Sequence, residues 1–328
     1  MKLLLMLFPI MTLISCSGGQ ASSVSRSDVT TDTSAVVFDA DSAYAYVSCQ
    51  VSFGPRVPGS EAHGRCVEWM KGKLADAGAD TVMEQRGTMT AFDGAAVPVR
   101  NLLARFNSGA QRRVLLAAHY DSRPWADEDP DEANRTRPVP GANDGASGVG
   151  VLLELARLMG QKQPGVGVDI LLVDAEDGGK SSGTENNEES WCLGTQYFTA
   201  HSPYGDGARP VYGIVLDMVG GRDARFYREY ISEQMAPAVT NKVWGTAARS
   251  SYASRFPNQV SGSLIDDHLF LNRAGIPSID IVECNNPVTG SFPPAWHTVH
   301  DDMSGIDRAT LKAVGQIVAD VIYSEQAL

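Results

Sequence analysis

Several acids and histidines stand directly after apolar runs in this 328-residue chain. His119 and Asp121 follow the run at 114–118, and Glu176 and Asp177 follow the run at 168–173. Asp217 closes a third run, and Asp266, Asp267 and His268 introduce a fourth apolar segment. Asp144 lies in GANDGASG at 141–148, while His297 and His300 stand in a proline-stiffened aromatic loop, SFPPAWHTVHDD at 291–302. Carboxylates and imidazoles placed this way can move protons or hold a cation. Adjacent acids such as Glu176 and Asp177 raise one another's pKa, so packing them together calls for something positive nearby. Where the loops of Asp144, Asp177 and His297 meet, three oxygen and nitrogen ligands and an open fourth position make a catalytic zinc site.

Each of these residues also has a plain structural role available. Asp144 precedes a helical pattern and can cap it; AEDGG at 175–179 can be a solvated loop; Asp267 can be an N-cap. The spacing is not that of a compact zinc finger. What favours chemistry is their joint occurrence after successive strands, because open α/β sheets place their sites at the carboxyl ends of strands.

The elements that must do this positioning alternate along the chain. Apolar runs predict strands at 81–85, 97–106, 114–118, 168–173, 211–219 and 278–282. Helical spacing predicts helices at 42–51, from Ser60 as cap to about residue 77, after Gly148, and at 234–248, 267–274 and 306–323. This order predicts an α/β fold with a mixed, mostly parallel central β-sheet flanked by helices on both faces.

Hydrophobic residues make up 43% and charged residues 20%, as in a globular protein. The net charge of −12 argues against a nucleic-acid partner, whose phosphates would be repelled. Residues 1–16 open with Met1-Lys2 and a short apolar run. That run falls short of the roughly 20 residues of a membrane span and fits a secretory signal. Leu13-Ile14-Ser15-Cys16 resembles the bacterial lipoprotein box, which implies lipidation at Cys16 and export to the periplasmic side of the cell envelope. A plain signal peptide cleaved elsewhere is the alternative. Residues 17–35, rich in Ser, Thr and Asp, read as a flexible tether, and 36–328 as a single catalytic domain without internal linker or repeat. An acidic folded surface would add little membrane attachment beyond the lipid. Cys49, Cys66, Cys192 and Cys284 form no CxxC pair, which leaves both disulfides and buried free thiols open.

HYDS at 119–122, GANDGASG at 141–148, AEDGG at 175–179, LDMVG at 216–220, IDDH at 265–268 and WHT at 296–298 together resemble the zinc-dependent M28 peptidases. GPRVPGSEAH at 54–63 is similar to that family's opening segment. Within the superfamily the chain looks most like the glutaminyl-peptide cyclotransferases of the animal-like zinc type, over nearly everything after residue 35. This resemblance implies one zinc per chain held by Asp144, Asp177 and His297, with Glu176 as general acid/base. It implies that Asp217 and Asp266 form a carboxylate network behind Glu176, and that Trp191, Phe292 and Trp296 wall the substrate. The implied substrates are peptides or proteins with an N-terminal glutamine, cyclised to pyroglutamate with loss of ammonia.

The related aminopeptidases hold a second zinc through residues that match His119 and Asp217, so a two-zinc hydrolase stays open. Asp266, where those enzymes usually carry a small residue, and Trp296, directly before His297, match the cyclases. Three departures stand out. Asp177 replaces the glutamate of the animal cyclases and is one methylene shorter, a difference that the flexible Gly178-Gly179 can absorb. A polar insertion at 180–190 precedes Trp191. Ala118 and Val149 stand near the places where the animal enzymes carry a bridging cysteine pair.

Overall fold

The computed structural model describes residues 36–181, 187–205 and 208–326. The expected signal segment, Cys16 and the tether lie outside them. One sheet organises the described residues, with strand order β1-β2-β4-β3-β5-β6. A long hairpin, β1 (Thr81–Thr90) and β2 (Ala96–Phe106), pairs antiparallel onto β4 (Gly167–Val173). From β4 onward through β3 (Arg113–His119), β5 (Gly213–Asp217) and β6 (Ser278–Val282) every pairing is parallel.

Successive side chains of a strand face opposite sides, and both sides are covered here. Val114, Leu116 and Ala118 of β3 join a core that includes Val47 of α1 (Ala40–Ser52), Leu152 of α3 (Ala146–Gln161) and Val314 of α8 (Arg308–Ser324). Leu115 and Ala117 join a second core with Phe198 of α4 (Leu193–Ala200) and Leu271 of α7 (Asp267–Arg273). Burial on both faces is why these strands read as continuous apolar runs, each buried leucine contributing roughly 1.5–3 kcal/mol.

After β3 the chain passes through α3 to β4 on one side, then crosses back to β5 on the other. The direction of winding therefore reverses beside β3, and a crevice opens outside its carboxyl end. His119 is the last residue of that strand.

Three expectations differ from the structure. The helix read at 234–248 is broken into α5 (Tyr230–Met235) and α6 (Pro237–Ala248), because Pro237 has no N–H to continue the first helix and instead begins the second. β1 runs on to Thr90, held by pairing of its polar second half with residues 96–101 of β2 rather than by an apolar pattern. Helix α4 was not expected; it is short and enters through Cys192 in the left-handed region. Ser60 caps α2 (Glu61–Asp76) as predicted. The four cysteines of the described residues are free thiols, and burial pushes that of Cys66 up to about 12. Among the described residues no helix is long and apolar enough to cross a membrane.

Candidate active site

Asp144, Asp177 and His297 converge from three loops: each is buried, and one ligand atom from each lies within 4.8 Å of the others. His297 Nε2 is 3.1 Å from Asp177 Oδ1 and 3.8 Å from Asp144 Oδ2. Oδ2 of Asp144 and Oδ2 of Asp177 find no hydrogen-bond partner among the described residues. An unpaired buried carboxylate oxygen is costly, and a divalent cation removes that cost for both at once. Two carboxylates and an imidazole are a donor set that fits zinc.

Asp144 does not cap α3. The cap is Gly145, at φ +98°, and it makes no side-chain bond. A Cβ there would stand 2.6 Å from the carbonyl oxygen of His119, so the turn that delivers Asp144 to the crevice requires glycine. The backbone under each acidic ligand is held by another carboxylate. Asp301 accepts the N–H groups of Asn143 at 2.8 Å and Asp144 at 3.1 Å. Asp121 accepts those of Glu176 at 3.1 Å and Asp177 at 3.2 Å.

His297 is supported from behind. Its Nδ1 lies 3.4 Å from Asp127 Oδ1, and fully buried Arg123 grips Asp127 through two bonds of 2.6 Å while donating to the Asp177 carbonyl at 3.0 Å. Against burial, Arg123, His297 and Ser181 hold the Asp127 carboxyl well below the ordinary range. Burial works against the charged His297 imidazole as well, yet Asp177 and Asp127 raise it to about 9. Neither Arg123 nor Asp127 was singled out in the sequence, where RPWADEDPDE at 123–132 is part of a polar insert between HYDS and GANDGASG.

Glu176 sits beside this corner, 8% exposed, with the Cys192 thiol donating to its Oε1 at 3.3 Å. Glu176, Cys192 and Asp266 each bring an atom within 4.8 Å of the others. Burial pushes the Glu176 carboxyl well above its ordinary range, with Asp266 and Asp177 adding to the push and His119 opposing it. Asp266, not Asp267, is the N-cap of α7. Asp267 is the first helical residue, and burial next to Asp266 raises its carboxyl to about 7. The carboxylates continue inward to Asp280 of β6 and to Glu229, whose Oε2 is 3.0 Å from His268 Nε2. Asp280 was missed, although an acid inside SIDIV at 278–282 was the available signal.

A second group shares Asp144. His119 Nε2 is 3.1 Å from Asp217 Oδ1 and 3.2 Å from Asp144 Oδ1. Burial raises the Asp217 carboxyl to about 8 in spite of its bond to His119.

A cavity of about 420 Å³ opens over Asp144, Glu176, Asp177 and His297, and Trp191, Phe292 and Trp296 all line it. The insertion does not displace Trp191: its indole lies flat on Gly179, where a Cβ would come within 2.0 Å of the ring. The His297 imidazole lies nearly parallel to two indoles, its ring centre 6.2 Å from that of Trp191 and 3.5 Å from that of Trp296. Phe292 stacks on Trp296 at 4.3 Å.

The sequence profile of Peptidase family M28 matches residues 101–322. The chain belongs to peptidase family M28. A crystal structure of Bacteroides thetaiotaomicron glutaminyl cyclase bound to N-acetylhistamine is 48% identical, with a TM-score of 0.85, over 88% of this chain and 99% of its own. A structure described as a leucine aminopeptidase precursor from Bacteroides thetaiotaomicron VPI-5482 is 47% identical, with a TM-score of 0.83, over 88% and 98%. Glutaminyl-peptide cyclotransferase of Bos taurus is 22% identical over 291 residues, 80% of this chain and 76% of its own length. The chain spans 40% of the length of aminopeptidase YwaD of Bacillus subtilis.

In this M28 protein the site is also where the backbone is least relaxed. Of the six non-glycine residues with positive φ among the described residues, four are Ala175 (51°), Cys192 (56°), Met218 (47°) and His297 (55°). Each is a site residue or adjoins one. Such conformations cost on the order of 1–3 kcal/mol each and persist only where the surroundings enforce them.

Proposed function

We propose that this chain cyclises the N-terminal glutamine of peptides and proteins to pyroglutamate, with release of ammonia. The observation that carries the reading is the carboxylate of Asp266 close beside Glu176, in a cavity walled by three aromatic rings next to the Asp144, Asp177 and His297 corner. Zinc bound by those three ligands supplies a Lewis acid for the γ-carbonyl oxygen.

Trp191, Phe292 and Trp296 pack against the methylenes of the glutamine side chain and keep water from the reacting atoms. They hold its α-amine against its own γ-carboxamide, so little entropy is lost in bringing nucleophile and carbonyl together. Glu176 takes one proton from the α-amine as the ring C–N bond forms, and returns it to the carboxamide nitrogen, which leaves as ammonia. Cys192 fixes Oε1 of that carboxyl in place. A carboxyl raised by burial and by Asp266 is suited to keep the proton between the two transfers.

The second reading is a zinc aminopeptidase, in which Glu176 activates water and His119, Asp144 and Asp217 hold a second ion. The closeness of those three favours it. Against it, Asp217 Oδ1 already has His119 as a partner, while Oδ2 of Asp144 and Oδ2 of Asp177, in the first corner, have none among the described residues. The cyclase reading therefore takes one zinc per chain and the hydrolase reading two.

Purified protein supplied with Gln-initiated peptides should yield pyroglutamate and equimolar ammonia. Release of free amino acids without ammonia would transfer the assignment to the aminopeptidases. Glu176→Gln should lower turnover by about 10²–10⁴-fold with zinc content unchanged; an undiminished rate removes that residue from the chemistry.

We also propose that Cys16 carries a lipid and that residues 17–35 tether the 36–328 catalytic domain to the periplasmic side of the envelope. Metabolic labelling with a clickable fatty acid should mark the wild type and not Cys16→Ala. Equal labelling of both removes the anchor from that residue.

A further inference from the structure

We infer that a groove running from the catalytic cavity to Phe92 and Trp125 binds the residues of a peptide substrate that follow its N-terminal glutamine. The inference rests on the proposed cyclase activity, since it assigns a place to the part of the substrate that the reaction does not touch.

The groove is continuous with the cavity. Lys180 and Ser181, at the rim of the catalytic cavity, also bound a neighbouring open depression of about 420 Å³ that reaches Trp125 and Phe92. Those two rings in turn bound a third, apolar depression of about 170 Å³, floored by Leu193 and Ala175 behind the acid pair. The three depressions thus share walls in sequence, and a chain leaving the first at Lys180 enters the second.

Its far end is built for an apolar side chain. Phe92, at the tip of the β1–β2 hairpin, is 46% exposed and meets the edge of Trp125 at 6.0 Å and 81°. Nearly half of this ring stays open, and together with Trp125 it forms a contiguous apolar surface beside the cavity, the kind of patch that marks a contact region. Trp125 is not loose. The buried Arg123 guanidinium lies 4.9 Å from its ring centre and 5.1 Å from that of Trp191, so one fixed cation spaces the Trp125 platform from the cavity wall. An extended peptide advances about 3.3 Å per residue with side chains alternating, so its third or fourth side chain can meet these rings while the first stays in the cavity. The occupant is an extended peptide segment carrying an aromatic or aliphatic side chain within its first few residues.

A different exit exists past Trp296, a largely apolar depression of about 200 Å³ that shares Asp144, Met218 and Trp296 with the cavity and runs along Pro293 and Pro294 to Arg222 and Glu283. It offers no exposed aromatic platform, and it lies behind the Trp296 wall.

The test compares substrate lengths. Wild type, Phe92→Ser and Arg222→Ala are assayed on Gln-Gly amide, on a Gln-initiated pentapeptide with phenylalanine at position four, and on the same pentapeptide with serine there. Phe92→Ser should leave the dipeptide and serine pentapeptide unchanged, and raise KM for the phenylalanine pentapeptide by about five- to tenfold with kcat unaltered, the scale of one aromatic contact. Equal losses on all three substrates, or none on any, overturn the assignment, as does a length-dependent loss confined to Arg222→Ala. Binding of the two pentapeptides to Glu176→Gln, with and without Phe92→Ser, is read by tryptophan fluorescence. Should no substrate yield pyroglutamate, the cyclase reading fails, while a Phe92-dependent preference for the phenylalanine peptide in this binding assay still supports the groove, and its absence overturns it.

Discussion

Two corners of the crevice share Asp144 and are made of the same kinds of residue, yet they are finished differently. Around His297, Asp144 and Asp177 each leave a buried carboxylate oxygen with no partner among the described residues. Around His119, the imidazole bonds the Asp217 carboxylate directly. Each corner holds a histidine 3.1 Å from a carboxylate oxygen, His297 on Asp177 and His119 on Asp217, but only the first adds two buried carboxylate oxygens that could face a cation. Residue types and mutual distances are much the same in both; what distinguishes them is which polar atoms remain unsatisfied.

The largest expected effect breaks the comparison outright. His297→Ala should abolish both zinc retention and turnover, whereas His119→Ala should keep its zinc after dialysis, as read by elemental analysis. Loss of zinc from His119→Ala with retention in His297→Ala would reverse the roles of the corners.

A smaller effect sharpens it. Asp127→Asn removes the carboxylate behind His297 and should weaken zinc about 10–100-fold in a chelator competition, the usual scale for a group that orients a ligand histidine. Asp217→Asn should leave that affinity unchanged. An Asp127→Asn protein that binds zinc like the wild type would show that Asp127 serves Arg123 alone.

The pH dependence separates loaded from stripped protein. In chelator-treated protein, burial raises the carboxyls of Asp217 to about 8 and of Asp301 to about 7, and carboxylate neighbours raise His297 to about 9. These folded groups keep protons that an unfolded chain has released, so the stability they confer is present below about pH 4 for the acids and about 6.5 for the histidine. It is lost as pH rises toward 8 and 9. Zinc needs its ligands deprotonated and binds more tightly over that same rise. The gap in Tm between zinc-loaded and stripped protein should therefore widen from pH 6 to pH 9; a constant gap would mean that the ion does not displace the proton of His297.

Much of the scaffold was legible because β3 and β4 are buried on both faces and so appear as unbroken apolar runs ending in acids. Asp177 was legible for the same reason, whereas Asp144 and His297 stood out through their glycine-rich and proline-stiffened loops. The supports were not. Asp301 is a buried clamp and its neighbour Asp302 is partly exposed, capping a short turn, but as adjacent letters they are identical. Arg123 and Asp127 passed as part of a polar insert because the sequence shows their charge and not the two indoles and the carbonyls around them. Local chemistry was also underweighted: Pro237 splits a helix that apolar spacing alone joined, and Asp266 rather than Asp267 caps α7.

The left-handed backbone at Ala175, immediately before Glu176, sets endurance against speed. Glycine there should relieve about 1 kcal/mol and raise Tm by a few degrees, since it takes that conformation without the clash of a Cβ. The same change frees the Glu176 backbone to wander, so Ala175→Gly should be hardier and slower, measured by thermal melting and kcat on one preparation. Evolution toward a tougher protein through this hinge would then be paid in turnover, and a slow-working relative with glycine at this place would be the trace of that exchange.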